Sequence, residues 1–412
     1  MISQVIKGPK IYYAWLGILS LFILLGVEGY SEQLRTGLIA TSLTDQVSWG
    51  AYIANFTYIV GLAAAAVMLV IPAYIYKIKA MKEVVIIGEM FALSAIVMCL
   101  LFVTVDIGRP DRMWHLMPLI GRMNWPISML TWDVIVLNGY LLLNLHIPGY
   151  MLYKKYKDEP LTPLYYKPFV YISVFWAVSI HTVTAFLYCG LGGKPFWNSA
   201  IVAPRFLVSA FAVGPSFIFL SLQLIEKFST FKVPKEAYKI LNRIVAVTLN
   251  LNLLFLICEV FKEFYTGAHT LSAEYLFFGL EGHYTLTPFI WTAILFNVVA
   301  TVIYSSRKFN KKTLLLNIGA GLAIVGIWIE KGMGMIVTGF IPTPIGDIIE
   351  YSPSRVEIQV CLGIWATGFF LFTLLLKAVI PIETGTIGAK KHDLMLDPWN
   401  SKKAPPPPSW EK

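Results

Sequence analysis

Ten runs of apolar residues, each about long enough to cross a bilayer as a helix, constrain this chain more than any other feature. A helical span needs roughly 20 apolar residues, because about 1.5 Å of rise per residue must cover a hydrocarbon core of about 30 Å. The runs are 11–29, 49–76, 84–105, 128–150, 168–187, 206–224, 240–264, 286–304, 314–329 and 358–380. A sheet with open edges at this depth would leave backbone N–H and C=O groups unpaired in lipid. The expected fold is therefore an all-α integral membrane protein of about ten transmembrane helices. The ninth run is short, and the glycine-rich segment 332–341 after it is expected either to extend it or to break it. Run 11–29 is expected to be a retained first helix rather than a cleaved signal. Composition agrees: 57% of residues are hydrophobic and 14% charged, against about 45–50% and 25% in soluble domains.

The formal charge of +9 does not point to nucleic acid, because the positive residues sit in short loops between apolar runs. Most of the 33 Lys and Arg fall on one side, at Lys7 and Lys10, in 77–82, 154–167, 227–243 and 307–312, and from Lys377 onward. That bias places this side, with both termini, in the cytoplasm. Residues 382–412, with four prolines at 405–408, read as a cytoplasmic arm, either solvated or docked on a partner. Small-residue clusters GLAAAA (61–66) and SAFAVGP (209–215) are expected packing faces. They mark 49–187 and 204–331 as possible repeated four-helix units within a membrane domain spanning 1–381.

Metal and heme are not expected in this chain. Its four cysteines, Cys99, Cys189, Cys258 and Cys361, form no CxxC pair. Only His146 and His181 lie in apolar runs, at opposite ends of the membrane, so they are not placed to ligate one heme.

Ionisable residues at membrane depth are expensive and usually face the protein interior. Here they gather toward the outer face: Asp106, Arg109, Asp111, Arg112 and His115 after the third run, Asp133 in the fourth, His181 in the fifth and Arg205 opening the sixth. Glu259, Lys262 and Glu263 close the seventh run, and Glu330 and Lys331 the ninth. Glu89 stands alone toward the cytoplasm. A mixture of Asp, Glu, Arg and His can hydrogen-bond a carbonyl ligand and exchange protons with it. Two readings of the GRPDR segment (108–112) stay open: a helix stop whose arginines clamp Asp106 and Asp111, or a grip on a partner or a quinone head group. His181 is either a packing histidine or, with Asp133 as partner, a proton-handling pair.

WGAYIANFTYIVG (49–61), DIGRPDRMWH (106–115), PISMLTWDVIVLN (126–138), IHTVTAFLY (180–188) and PRFLVSAFAVG (204–214) resemble the NrfD/polysulfide-reductase membrane-subunit family over most of the chain. With IEKGMGM (329–335), the ten-helix form is most similar to DsrP-type subunits of sulfite-reductase-linked redox complexes, with QrcD-type subunits next. The resemblance implies two four-helix bundles plus flanking helices, and no heme or iron–sulfur cluster of its own. It also implies a menaquinone site near the outer face, beneath an extracytoplasmic iron–sulfur subunit. A DsrP-type assembly would add a multiheme cytochrome, a heme-bearing membrane subunit and a cytoplasmic iron–sulfur subunit. Phe56 stands where polysulfide-reductase-type members carry a histidine.

On this reading Tyr52, Asn55, Asp133 and His181 meet the head group. Asp106, Arg109, Arg112, His115 and Arg205 shape the outer site, and Glu89, Glu259 and Lys262 carry protons. A secondary transporter, which midplane charges and broken helices would mark, and a purely structural anchor are the rival classes.

Overall fold

The computed structural model describes residues 7–388 apart from 65, 118, 119, 268 and 269; the proline-rich arm at 389–412 lies outside the described residues. Among the described residues, ten helices are long and apolar enough to cross a membrane: α1 Lys10–Thr36, α2 Ala51–Ile75, α3 Val85–Asp106, α4 Met129–Lys157, α5 Pro163–Cys189, α6 Val202–Phe228, α7 Lys235–Tyr265, α8 Thr287–Ser305, α9 Thr313–Thr338 and α10 Arg355–Glu383. Each overlaps one of the apolar runs, and no strand occurs among the described residues.

The helices form two rings. In the first, α2 packs on α3 and α5, while α4 closes the ring between them; in the second, α6, α7, α8 and α9 close in the same manner. The rings meet where α6 lies against α2 and α5. There a Cβ on Gly61 would lie 3.4 Å from that of Ala210. The two small-residue clusters therefore face each other, and the missing side chains let the backbones come close.

The pair α1 and α10 flanks the rings and docks chiefly through α10 on α3. At their crossing a Cβ on Gly26 would sit 2.6 Å from the Gly363 Cα, so only glycine permits this separation. A capping box starts α10: Ser354 Oγ accepts from the Glu357 amide at 3.2 Å, and Glu357 Oε2 accepts from the Ser354 amide at 2.9 Å.

Helix α9 is extended rather than broken. It passes through a π-turn at Trp328–Gly334 and resumes at Met335–Thr338. The sequence pattern places Glu330 and Lys331 at the end of this helix; both are instead buried inside it, at 4% and 6% exposure. π-turns inside helices are frequent at functional sites because the extra residue re-aims the side chains around it.

Candidate functional site

Two buried polar groups occupy these rings. The first is at the end of the first ring where α3 stops, hereafter the Arg109 end. The helix finishes at Asp106, and Gly108–Pro110 redirects the chain into a short 3-10 segment, Pro110–Leu116. Between this turn and the end of α1 lies a cavity of about 310 Å³, walled by Tyr30, Gln33, Leu38, Ile107, Arg109 and Asp111 among others.

Arg109 Nε and Nη2 donate to Asp111 at 2.9 and 2.8 Å on an exposed rim. Those bonds hold the Asp111 carboxyl below the ordinary carboxylate range. The arginine clamp therefore closes on Asp111 and not on Asp106, whose shielded Oδ1 has no partner among the described residues. Arg112 and His115 are exposed on the same turn, with the His115 ring stacked on Trp114 at 3.8 Å.

Behind the cavity, Tyr52 is fully buried and its hydroxyl donates to Gln33 Oε1 at 2.7 Å. One turn along α2, Asn55 is a knot between helices. Its Oδ1 accepts from Trp328 Nε1 of α9 at 3.1 Å and Trp365 Nε1 of α10 at 2.9 Å, while its Nδ2 donates to the Ala51 carbonyl at 2.8 Å. Glu357 fastens the entry to α2: it accepts from the Ser42 amide at 2.8 Å and from the Tyr351 hydroxyl, which in turn accepts from the Ala51 amide at 2.8 Å.

Asp133 and His181 are both buried where α4 packs on α5. The carboxylate does not bond the imidazole. Thr184, three residues past His181 and so roughly 4.5 Å further along the helix, donates to Asp133 Oδ1 at 2.9 Å. The His181 Nδ1 lies 3.2 Å from the Ala177 carbonyl. Asp133 Oδ2 and His181 Nε2 are each left without a partner among the described residues. The neighbourhood expected from sequence is present, with a hydroxyl in the place of the expected direct bond.

The second polar group lies inside the second ring. Arg205 of α6 bonds Glu330 at 2.6 Å and also pairs with Glu259 of α7. Glu330 Oε2 accepts from Asn297 Nδ2 of α8 at 2.6 Å. Lys331 turns to the seam between the rings, where its Nζ lies 3.4 Å from the Phe206 carbonyl and over that ring at 4.3 Å. Lys262 pairs with Glu263 at 2.8 Å. Arg205 and Glu259 thus belong to a different site from Arg109, Tyr52 and Asp133. Cavities beside Arg205 are only about 10 Å³ each, at most room for a water molecule. Glu89 is apart from both groups, buried on α3 with Oε2 unpartnered among the described residues.

Between the two polar groups stands an aromatic box. Trp49 stacks on Trp197 at 5.6 Å, with Phe340 and Tyr188 edge-on to both; the Tyr188 hydroxyl bonds Thr57. Among the described residues no group of three or more His, Cys, Asp or Glu is gathered as a metal set requires.

Sequence reasoning misses Gln33 and Asn297 as site members: both are uncharged, so they do not stand out among ionisable groups at membrane depth. It includes Glu330 and Lys331 among the ionisable residues of the outer face but gives them the place of a helix end, because glycine follows them.

Ten membrane helices among the described residues, eight of them in two rings and two flanking, with buried polar groups inside and a cavity at one end, define a polytopic membrane protein with an internal site. The chain belongs to the NrfD family, polysulphide reductase, whose model matches residues 40–339. It is similar to a putative dimethyl sulfoxide reductase membrane subunit of Halobacterium salinarum, 23% identical over 86% of this chain and 88% of that one. It is also similar to the Hdr-like menaquinol oxidoreductase integral membrane subunit of Archaeoglobus fulgidus, 24% identical over 91% of this chain and 96% of that one. A selenate reductase subunit of Mesobacillus selenatarsenatis is 22% identical over 90% of this chain and 94% of that one.

Proposed function

We propose that this chain is the quinone-interacting membrane subunit of a respiratory complex, exchanging electrons between menaquinol and redox centres on partner subunits. The observation that carries this reading is the cavity at the Arg109 end. Its volume of about 310 Å³ is within the range of small-molecule sites, roughly 300–1,000 Å³. Its wall mixes leucine and isoleucine with a few polar groups, as a flat aromatic head group with two oxygens requires. Next in sequence to Ile107 of its wall is a buried oxygen able to take a proton from a quinol, Asp106 Oδ1, with Asp133 Oδ2 and His181 Nε2 deeper in the ring. The menaquinol named in the Archaeoglobus relative supports the choice of quinone.

The finer reading is a DsrP-type subunit in sulfite or sulfate energy metabolism. Its partners are an extracytoplasmic iron–sulfur subunit over the exposed Arg109–His115 turn, a multiheme cytochrome, a heme-bearing membrane subunit and a cytoplasmic iron–sulfur subunit. The chain itself holds no heme or cluster, and Glu89, Glu259 and Lys262 serve proton movement. The lysine bias sets the Arg109 end outside and both termini inside.

The test is menaquinol-dependent electron transfer by the purified complex, with bound quinone identified after extraction. A complex that carries no menaquinone and neither oxidises menaquinol nor reduces menaquinone overturns the reading. Reporters fused after Lys157, Lys235 and Lys311 should label as cytoplasmic and those in 31–44 as external; the reverse pattern would put the cavity on the wrong side.

A further inference from the structure

Helix α1 is mostly exposed to lipid. Only 11% of its membrane window is buried, against 83% for α3. Its buried residues include Tyr12, Leu19, Gly26 and Gln33, spaced seven apart, so they form one stripe along the helix. Three members of this stripe pack or give close approach, as a lipid-embedded helix requires. The fourth, Gln33, is a polar amide at 4% exposure, and an amide buried this way has to be hydrogen-bonded.

Its partners fix which way it points. Gln33 Nε2 lies 2.6 Å from the Val105 carbonyl, which can only accept, so this end of the side chain is the NH2. Oε1 therefore faces Tyr52, whose hydroxyl must donate. A primary amide has two N–H donors and two acceptor lone pairs. One of each is used, and one of each remains on a side chain that lines the cavity. Donation from Tyr52 into Oε1 also polarises the amide and strengthens its remaining N–H as a donor.

We propose that Gln33 is a head-group residue of the cavity, donating its second Nε2 hydrogen to a quinone carbonyl, and that Tyr52 is its positioning residue. The remaining lone pair of Oε1 accepts from the hydroxyl of the reduced form, so the same side chain serves both redox states. This assignment rests on the quinone reading above. It adds a residue of the flanking helix, which lies before the 40–339 stretch that matches the family model. The Gln33 amide is no proton carrier; it holds the ring while carboxylates such as Asp106 take the proton.

The experiment uses the whole complex and a menaquinone labelled with 13C at its carbonyls. In the wild type, one carbonyl stretch of the bound oxidised quinone should be shifted down by hydrogen bonding. Gln33→Leu should remove that shift and raise KM for menaquinol about tenfold, the worth of one lost hydrogen bond to a neutral donor, with kcat nearly unchanged. Tyr52→Phe should keep the band but broaden it and raise KM about threefold, since a held amide is then free to turn. Gln33→Asn, one methylene too short to span both partners, is the second variant should Gln33→Leu fail to assemble, and should act in the same direction. If the wild type binds and oxidises menaquinol while an assembled Gln33 variant keeps the shifted band and the KM, this inference falls and the quinone reading stands. If the wild type shows neither binding nor turnover, both fall together.

Discussion

Near the Arg109 end of the first ring, buried polar atoms have no partner among the described residues: Asp106 Oδ1, next in sequence to Ile107 of the cavity wall, and deeper in the ring Asp133 Oδ2 and His181 Nε2. In the second ring, Arg205, Glu259 and Glu330 hold one another, with Asn297 bracing the last, around cavities too small for a ligand. Both regions bury charge in a membrane protein, yet they have opposite consequences. Charges that satisfy one another hold helices in place. Polar atoms left without partners keep their hydrogen-bonding capacity for something that arrives. Counting buried charges would rank the second ring as the active region; asking where unpartnered atoms lie near a cavity of ligand size reverses the order, because the unpartnered Asn252 and Asn297 Oδ1 of the second ring, among the described residues, have only the small cavities in their ring.

The largest expected effect breaks the paired side. Arg205→Ala leaves Glu259 and Glu330 buried without their counter-charge, and removing one partner of a buried pair typically costs about 3–5 kcal/mol. The expected outcome is a marked fall in the thermal unfolding midpoint of the complex in detergent, partly restored by adding Glu259→Gln and Glu330→Gln. An Arg205→Ala complex that keeps its stability but loses quinol turnover would exchange the roles of the two regions.

Next, Asn55 tests a paired knot that ties α2 of the first ring to α9 and α10. Asn55→Ala leaves the indole N–H groups of Trp328 and Trp365 without their acceptor, at a cost of about 1–3 kcal/mol for an unsatisfied buried group. It should lower stability while KM for menaquinol changes little. A large KM change without loss of stability would move Asn55 from scaffold to ligand contact.

His181 and Asp133 sharpen the comparison from the other side. General acid–base groups contribute roughly 10²–10⁴ in rate, and here Thr184 rather than the neighbouring imidazole takes one Asp133 oxygen. His181→Ala and Asp133→Asn are each expected to slow quinone-linked electron transfer about tenfold or more while the complex assembles normally. Full activity in both would make them packing contacts and confine the chemistry to Asp106 and the cavity.

The smallest effect is at the rim. Asp111 is held below its ordinary value of 3.8 by Arg109. The contribution of this pair is complete above that pH and is lost only as pH falls through the lowered value. Both side chains are exposed, so the loss is slight. Proteolysis of the 107–117 turn should be constant from neutral pH down to about 4 and rise only below it. Loosening near pH ~6 would show that the pair does not hold the turn.

The class of fold was legible because ten long apolar runs admit few alternatives in lipid. The lysine asymmetry gives an expected orientation by the same physics of insertion. From the residues alone the site was legible only where it carries charge; Tyr52 and Asn55 entered through the family resemblance. Arg109, Asp106, Asp133 and His181 stand out from apolar surroundings, but a one-dimensional pattern does not say that Arg205 and Glu259 belong to another ring. Glu330 and Lys331 look like a helix end because glycines follow, whereas the π-turn carries the helix on and aims the two neighbours at different partners. Gln33 and Asn297 have no charge to draw the eye, and their importance lies in which atoms they satisfy. That information exists only once the helices are placed.

The contact between Gly26 and Gly363 has a consequence for how the protein is made. Helix α1 leaves the ribosome well before its main packing partner, α10, with eight other spans inserted between them. Until α10 arrives, the stripe on α1 that ends in Gln33 lacks the surface that holds it. The wall of the cavity, residues 30–38 and 107–111, is therefore made early but assembled only once α10 holds α1 against the first ring.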